Sequence, residues 1–356
     1  MLPRLFAIDQ QLHKIISSFS SSKYINPTNI SNAYSAFMKG ERVPPFSYVP
    51  FIQADDLLYA LDAIPTMADH PFGVLLEQKI ENTRLLIYAL RDRTALSFHK
   101  LAKAQNWLPD ELLLKLRFSK QNPYPVKKST TAQQLRAYLL QALHKRDHTD
   151  WDVVFDSCMS ARVLVQSAER KIYIQKGALF YSQDLQRLVT HEIDVHAQRS
   201  INGSKQPLHI FQTGLPNSIL TEEGLAMLAE ERTNLLAKNT LADQTHLVWA
   251  IEQAKELGFR ELYEQLKLRV GPRMSWIICL RIKRGLARPE QAGVYAKDSV
   301  YLKGYVLVKD WLRNGGNIHH LYVGSVDISH PIEEWLRQKW ITLQQCPKFW
   351  TETEVS

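Results

Sequence analysis

The segment His191-Glu192-Ile193-Asp194-Val195-His196 places two imidazoles and a carboxylate within six residues. Neutral imidazoles are ligands for a cation such as Zn2+, and a carboxylate beside them can take the proton of a water whose pKa the metal has lowered. The chemistry that these residue types suggest is metal-assisted hydrolysis. Their spacing is one residue longer than the His-Glu-x-x-His pattern, in which both histidines share a helix face. At ~100° per residue, positions 191 and 196 of a regular α-helix lie about 140° apart. Either the helix is irregular there, through a π-bulge or an early end, or the two histidines do not share an ion. On a regular helix Glu192 and His196, at i and i+4, would be the aligned pair. Two histidines on a half-apolar helix can also be ordinary core or surface groups.

A hydrolytic zinc site needs a third protein ligand. Cysteine is a poor candidate, because Cys158, Cys279 and Cys346 are far apart and form no Cys-x-x-Cys pair. They read as small apolar residues, with no disulfide framework. Downstream, Thr221-Glu222-Glu223-Gly224-Leu225-Ala226 reads as the start of another helix, with Thr221 as N-cap and acidic residues in the first turn. Capping alone accounts for that composition. Two histidines on one helix and a glutamate on the next are nevertheless the donor set of thermolysin-like peptidases.

Taken together, His191-Glu192-Ile193-x-Val195-His196, Asn202-Gly203 with Gln206-Pro207-Leu208, and Thr221-Glu222-Glu223-Gly224-Leu225-Ala226 resemble the bacterial flavohemoglobin expression-modulating QEGLA motif proteins, which group with the eukaryotic microtubule-associated tyrosine carboxypeptidases. The resemblance extends to Asn26-Pro27 and Pro45-Phe46-Ser47-Tyr48 near the start. Near the end it includes Lys297-Asp298-x-x-Tyr301-Leu302-x-Gly304 and Leu321-Tyr322-Val323-Gly324. It implies a zinc carboxypeptidase of thermolysin-like layout, with His191, His196 and Glu223 as metal ligands, Glu192 as general base and acid, and an irregular helix carrying both histidines. A preference for a C-terminal Tyr or Phe comes from the resemblance alone. Two positions depart from the family pattern: Asp194 stands where a small residue is usual, and Glu222 where many members have Gln. Asp194 would reach a partner or sit in solvent, and Glu222 would be a surface cap.

A carboxypeptidase must also recognise a free carboxylate, for which a nearby cation is required. Lys297 and Tyr301, at i and i+4, are candidates to pair with that carboxylate and to donate a hydrogen bond to the developing oxyanion. An ordinary Lys–Tyr pair on a helix is the bland alternative.

The elements that must position these groups can be read from periodicity. Apolar residues at helical spacing run over residues 5–19, 75–90, 96–107, 132–144, 222–236, 245–256 and 300–312, and prolines hold Val43–Pro50 extended. Residues 162–166 and 171–174 read as a β-hairpin, and Ser182 as the cap of the helix that bears the histidines. By analogy with thermolysin-like enzymes, Lys171–Gln175 would be an edge strand able to align a peptide. The expected class is α+β and predominantly helical: a thermolysin-like metallopeptidase core with a small antiparallel sheet and flanking helices. The expected organisation is a helical region over 1–125, a catalytic core over 126–250 and a helical region over 251–356 that completes the cleft. Asn122-Pro123-Tyr124-Pro125 marks the first boundary.

Composition limits the alternatives. A chain of 356 residues with 45% hydrophobic and 22% charged residues is ordinary for a globular protein. Its longest apolar run, Leu85–Leu90, is too short to span a bilayer, and charge interrupts the N-terminus before a signal core develops. The expected compartment is the cytoplasm, with no membrane partner. The net charge of +8 raises nucleic acid as a partner, but no recognised module accompanies it. The densest basic stretch, Arg281-Ile282-Lys283-Arg284, reads as a solvated helix face. The expected partner is the C-terminus of a peptide or protein. A metallopeptidase of other specificity and a non-catalytic, metal-binding regulatory protein are the alternatives.

Overall fold

The computed structural model describes residues 2–120, 129–157, 159 and 161–351. The Asn122–Pro125 boundary and Cys158 lie outside those residues.

The chain opens with α1 (Leu2–Ser17), α2 (Ile30–Met38), α3 (Ala54–Asp62), α4 (Pro71–Asp92) and α5 (Ala95–Ala104). Helix α1 forms because Leu5, Ile8, Leu12 and Ile15 recur three and four apart and are all buried. Helix α4 starts at a proline, which needs no amide partner in the first turn, with the His70 side chain accepting from Phe72 N at 3.0 Å. The proline-rich segment forms neither helix nor strand; rather than running fully extended it turns where Phe46 N donates to Pro44 O at 2.8 Å, and Asn29 holds it by donating to Pro45 O at 2.7 Å and accepting from Ser47 N at 2.9 Å.

Helix α6 (Ala132–His144) leads into the strands. Strand β1 (Thr130–Thr131) pairs with β5 (Leu179–Phe180), and β2 (Asp152–Asp156), β3 (Val163–Gln166) and β4 (Lys171–Gln175) form a sheet of order β2-β4-β3. The hairpin is present: β3 and β4 are antiparallel, with Val163 opposite Ile174, and a 3-10 turn joins them. The sheet itself is mixed, because β4 runs parallel to β2 with Val153 opposite Ile172. Lys171–Gln175 is therefore the central strand and not an edge. Its backbone groups are used on both sides, so a peptide has no free edge to join there.

Helices α7 (the consecutive segments Asp184–Leu188, Val189–Ala197 and Gln198–Gly203), α8 (Ser218–Arg232), α9 (Thr240–Ala254), α10 (Phe259–Lys283) and α11 (Val300–Arg313) complete the main framework. Helix α7 begins at Asp184, whose carboxylate accepts from Tyr181 N at 3.0 Å; Ser182 does not cap it. One apolar cluster joins α1–α5 to α8–α11, with Phe37 packed edge-on against Phe259 at 5.1 Å. A second cluster lies between α6, the sheet and α7. The protein is α+β and predominantly helical. Among the described residues, no helix is long and apolar enough to cross a membrane.

Candidate metal centre

The middle segment of α7, Val189–Ala197, is a π-helix. Its bonds run from i to i+5, as from Gln198 N to Ile193 O, so residues five apart come onto one face. The offset expected for a regular helix is thereby removed. The rings of His191 and His196 face each other edge to face with centroids 4.9 Å apart. Val189, Ile193 and Ala197 are buried against the sheet cluster, while Val195 enters the larger one, so the segment is packed on both sides.

Glu223 lies opposite both rings. Its Oε2 is 3.6 Å from His191 Nε2 and 3.7 Å from His196 Nε2. Within the described residues this oxygen is buried and has no hydrogen-bond partner. A buried, unsatisfied carboxylate oxygen is costly unless something completes its shell. One donor atom from each of His191, His196 and Glu223 can be chosen so that all lie within 4.8 Å of one another. Two imidazole nitrogens and a carboxylate oxygen so disposed fit a tetrahedral cation with one open position.

The outer nitrogens of both histidines are held by carboxylates. His191 Nδ1 is 2.8 Å from Glu230 Oε1, which also accepts from Arg187 Nη1 at 3.0 Å. His196 Nδ1 is 3.0 Å from Glu222 Oε1, whose other oxygen is paired with the buried Arg199. Arg199 in turn donates to Leu321 O and Val326 O. These contacts fix the ring planes and direct both Nε2 atoms toward Glu223. Glu223 and Glu230 are seven residues apart and so share a face of α8. Because His196 meets Glu222 and His191 meets Glu230, the two helices run antiparallel.

The Thr221-Glu222-Glu223 segment is thus not a helix N-terminus. The N-cap is Asn217, Thr221 lies inside α8 with its hydroxyl 2.8 Å from Asp327 Oδ2, and Glu222 is buried beside His196 rather than exposed as a surface cap. Asp194 is buried and accepts two bonds from Arg146, at 2.6 and 3.1 Å.

The electrostatics fit a cation. Burial pulls both imidazoles toward lower pKa, but for His191 the nearby carboxylates of Glu192, Glu223 and Glu230, the last also hydrogen-bonded to the ring, outweigh it and hold the ring well above its ordinary value. For His196, Glu222 and Glu223 have the same effect. Glu192 is buried on the same segment. The hydroxyl of Tyr301 is pushed far up, first by the charge of Glu223 and then by burial, with Glu192 adding to it. It is a neutral donor, and a bound cation would act in the opposite direction.

Lys297 lies in a 3-10 turn, Ala296–Ser299, just before α11, so it and Tyr301 are not on one regular helix; its charge still acts on Glu223 and Asp298. The basic stretch is not a solvated face. Lys283 is fully buried and donates to Leu257 O and Gln291 O, Arg284 is buried, and Arg281 donates to Asp298 Oδ2 at 2.6 Å. Arg281 also stands 5.8 Å from the Tyr301 ring. Glu230, Arg187 and Arg199 were not singled out from the sequence, and Arg281 only as part of a basic run read as solvated. Glu230 carries a weak signal, since it is two turns beyond Glu223 and follows the uncharged run Gly224–Ala229.

A π-helix bearing two histidines, a glutamate on an antiparallel neighbour and a carboxylate behind each ring together define a candidate metal centre of the His/His/Glu type. The sequence model for "Microtubule-associated tyrosine carboxypeptidase" matches residues 59–353, and the chain belongs to that family. It is similar to microtubule-associated tyrosine carboxypeptidase 1 of Mus musculus, 35% identical over 130 residues that make up 35% of this chain and 27% of the mouse protein. The protein of the same name from Rattus norvegicus gives 35% identity over the same shares, and that from Homo sapiens 33%. The aligned segment thus spans about a quarter of the length of these relatives.

Proposed function

We propose that the protein is a zinc-dependent carboxypeptidase that removes a C-terminal aromatic residue, Tyr or Phe, from a peptide or protein, with a thermolysin-like arrangement of its catalytic helices. The observation that carries this reading is the unpartnered Glu223 Oε2 facing Nε2 of both His191 and His196. Membership of a family of tyrosine carboxypeptidases supports the reaction class and the aromatic preference.

His191, His196 and Glu223 would hold the ion. Bound Zn2+ supplies Lewis acidity, lowering the pKa of water and polarising a carbonyl. Glu192 takes a proton from the attacking water on a carboxylate oxygen and returns it to the leaving amine nitrogen. Tyr301, kept neutral, donates its hydroxyl proton in a hydrogen bond to the scissile carbonyl oxygen as negative charge develops there. Glu222 and Glu230 hold the rings in orientation and keep their tautomers fixed.

The test is a panel of peptides that differ only in their last residue, incubated with protein of measured zinc content. Release of a terminal Tyr or Phe, scaling with zinc occupancy, is expected. Protein that carries no stoichiometric zinc, or that leaves Tyr and Phe termini intact, would remove the proposal.

A further inference from the structure

Beside the candidate metal centre lies a group of charges that the hydrolytic step does not use. Asp298 is buried and receives Arg281 Nε at 2.6 Å and Arg284 Nη2 at 3.3 Å. Lys297 also acts on it, so three cations share one carboxylate and leave positive charge in excess. Lys297 and Arg281 both lie within the field of Glu223.

The cations are not equivalent. Arg284 is buried against Asp298 and the Tyr295 ring. Arg281 is different, since 32% of its side chain is exposed and Asp298 uses only its Nε. Its Nη1 and Nη2 have no hydrogen-bond partner among the described residues. Its guanidinium carbon lies 5.8 Å from the ring of Tyr301, whose hydroxyl is in the field of Glu223. A guanidinium fixed through Nε offers its two terminal N–H groups as a planar fork, which matches the two oxygens of a carboxylate. An ammonium is a point charge on a flexible stem and has no such geometry.

We infer that Arg281, held by Asp298, is the residue that binds the terminal carboxylate of the substrate, and that Lys297 contributes charge to the cleft without fixing that group. This rests on the carboxypeptidase reading and supplies its specificity element: recognition of a free C-terminus. Asp298 is then a positioning residue and Arg284 its anchor.

The experiment measures binding without turnover. Zinc-loaded protein carrying Glu192→Gln is titrated calorimetrically with a peptide ending in Tyr and with the same peptide amidated at its C-terminus. The free acid is expected to bind about 10- to 100-fold more tightly than the amide. Adding Arg281→Gln should abolish most of that difference with zinc content close to that of the parent, and should lower the melting temperature because the buried Asp298 loses an ion-pair partner. Arg281→Lys, which keeps the charge but not the fork, should recover only a part, and Lys297→Met should leave most of the preference in place. Asp298→Asn should lower the preference by loosening Arg281 and, in the active background, raise KM more than it lowers kcat. A preference that survives Arg281→Gln, or that disappears with Lys297→Met instead, overturns the assignment. If neither peptide binds and the protein with Glu192 intact cleaves no C-terminus, the carboxypeptidase reading itself fails. Cleavage by that protein with no dependence on Arg281 rejects only the inference about the carboxylate.

Discussion

Gly224 of α8 and Gly304 of α11 meet backbone to backbone. A Cβ on Gly224 would lie 2.2 Å from the carbonyl carbon of Gly304, and one on Gly304 would lie 1.9 Å from Leu220 O. Neither helix tolerates a side chain at that point, so the pair fixes how closely α8 and α11 cross. Glu223 precedes the first glycine and Tyr301 is three residues before the second, which brings the candidate metal-binding carboxylate and the candidate hydroxyl donor into one field.

Gly304→Ala must therefore push the helices apart. The expected cost is about 1–3 kcal/mol, as for an overpacked core, with a loss of activity that exceeds the loss of folded protein. Thermal unfolding beside single-turnover cleavage measures both. An unchanged melting temperature would show that the crossing is looser than the backbone distances indicate.

The carboxylates behind the histidines should act through the metal. Glu230→Gln and Glu222→Gln each keep the side-chain shape but lose the charge that orients an imidazole. Zinc affinity, measured by competition with a chromophoric chelator, should fall by about 10- to 100-fold in each. Affinity equal to that of the parent would mean that the two glutamates serve packing only.

Asp298 makes a prediction about pH. Burial alone would raise its pKa, but Arg281 and Arg284, with the Arg281 hydrogen bond and Lys297, bring it down to about 2. A carboxylate whose pKa is lower folded than unfolded contributes stability that is complete above its unfolded value, near 4, and is lost as pH falls through about 2. The contribution is about 2 kcal/mol. Denaturant unfolding of the parent and of Asp298→Asn, compared at neutral pH and near pH 2, should show a gap that closes by that amount in acid. A gap independent of pH would contradict the ion-pair account.

Much of this was legible in the sequence because it depends on local pattern. The apolar spacing in α1 and over residues 132–144 is a property of short segments, and α6 spans the second of them. The hairpin of β3 and β4 was legible for the same reason. Strand β2 was not, since it joins β4 in parallel from across an intervening strand, and that same pairing turned the expected edge strand into the centre of the sheet. At the site, the types and order of His191, Glu192, His196 and Glu223 stood out, whereas the roles of their neighbours did not. Glu222 looks like a cap until Arg199 and His196, on another helix, are seen to hold it. Arg281, Lys283 and Arg284 look solvated because a basic run on a helix usually is. Here Asp298 and a set of backbone carbonyls, brought in from distant turns, hold all three and account for the burial of Lys283 and Arg284. The links between Asn202 and Tyr322 O and between Gln206 and Val323 O, which tie two separate motifs together, likewise exist only in three dimensions.

The most direct measurement of the central claim is mass-spectrometric detection of Tyr release from a Tyr-terminated peptide by the parent protein and by Glu192→Gln at matched zinc content. The parent should shorten the peptide by one residue, and Glu192→Gln should bind the same amount of zinc and leave the peptide intact. Equal cleavage by both, or loss of zinc together with loss of cleavage in the variant, would contradict the role given to Glu192 beside the His191, His196 and Glu223 centre.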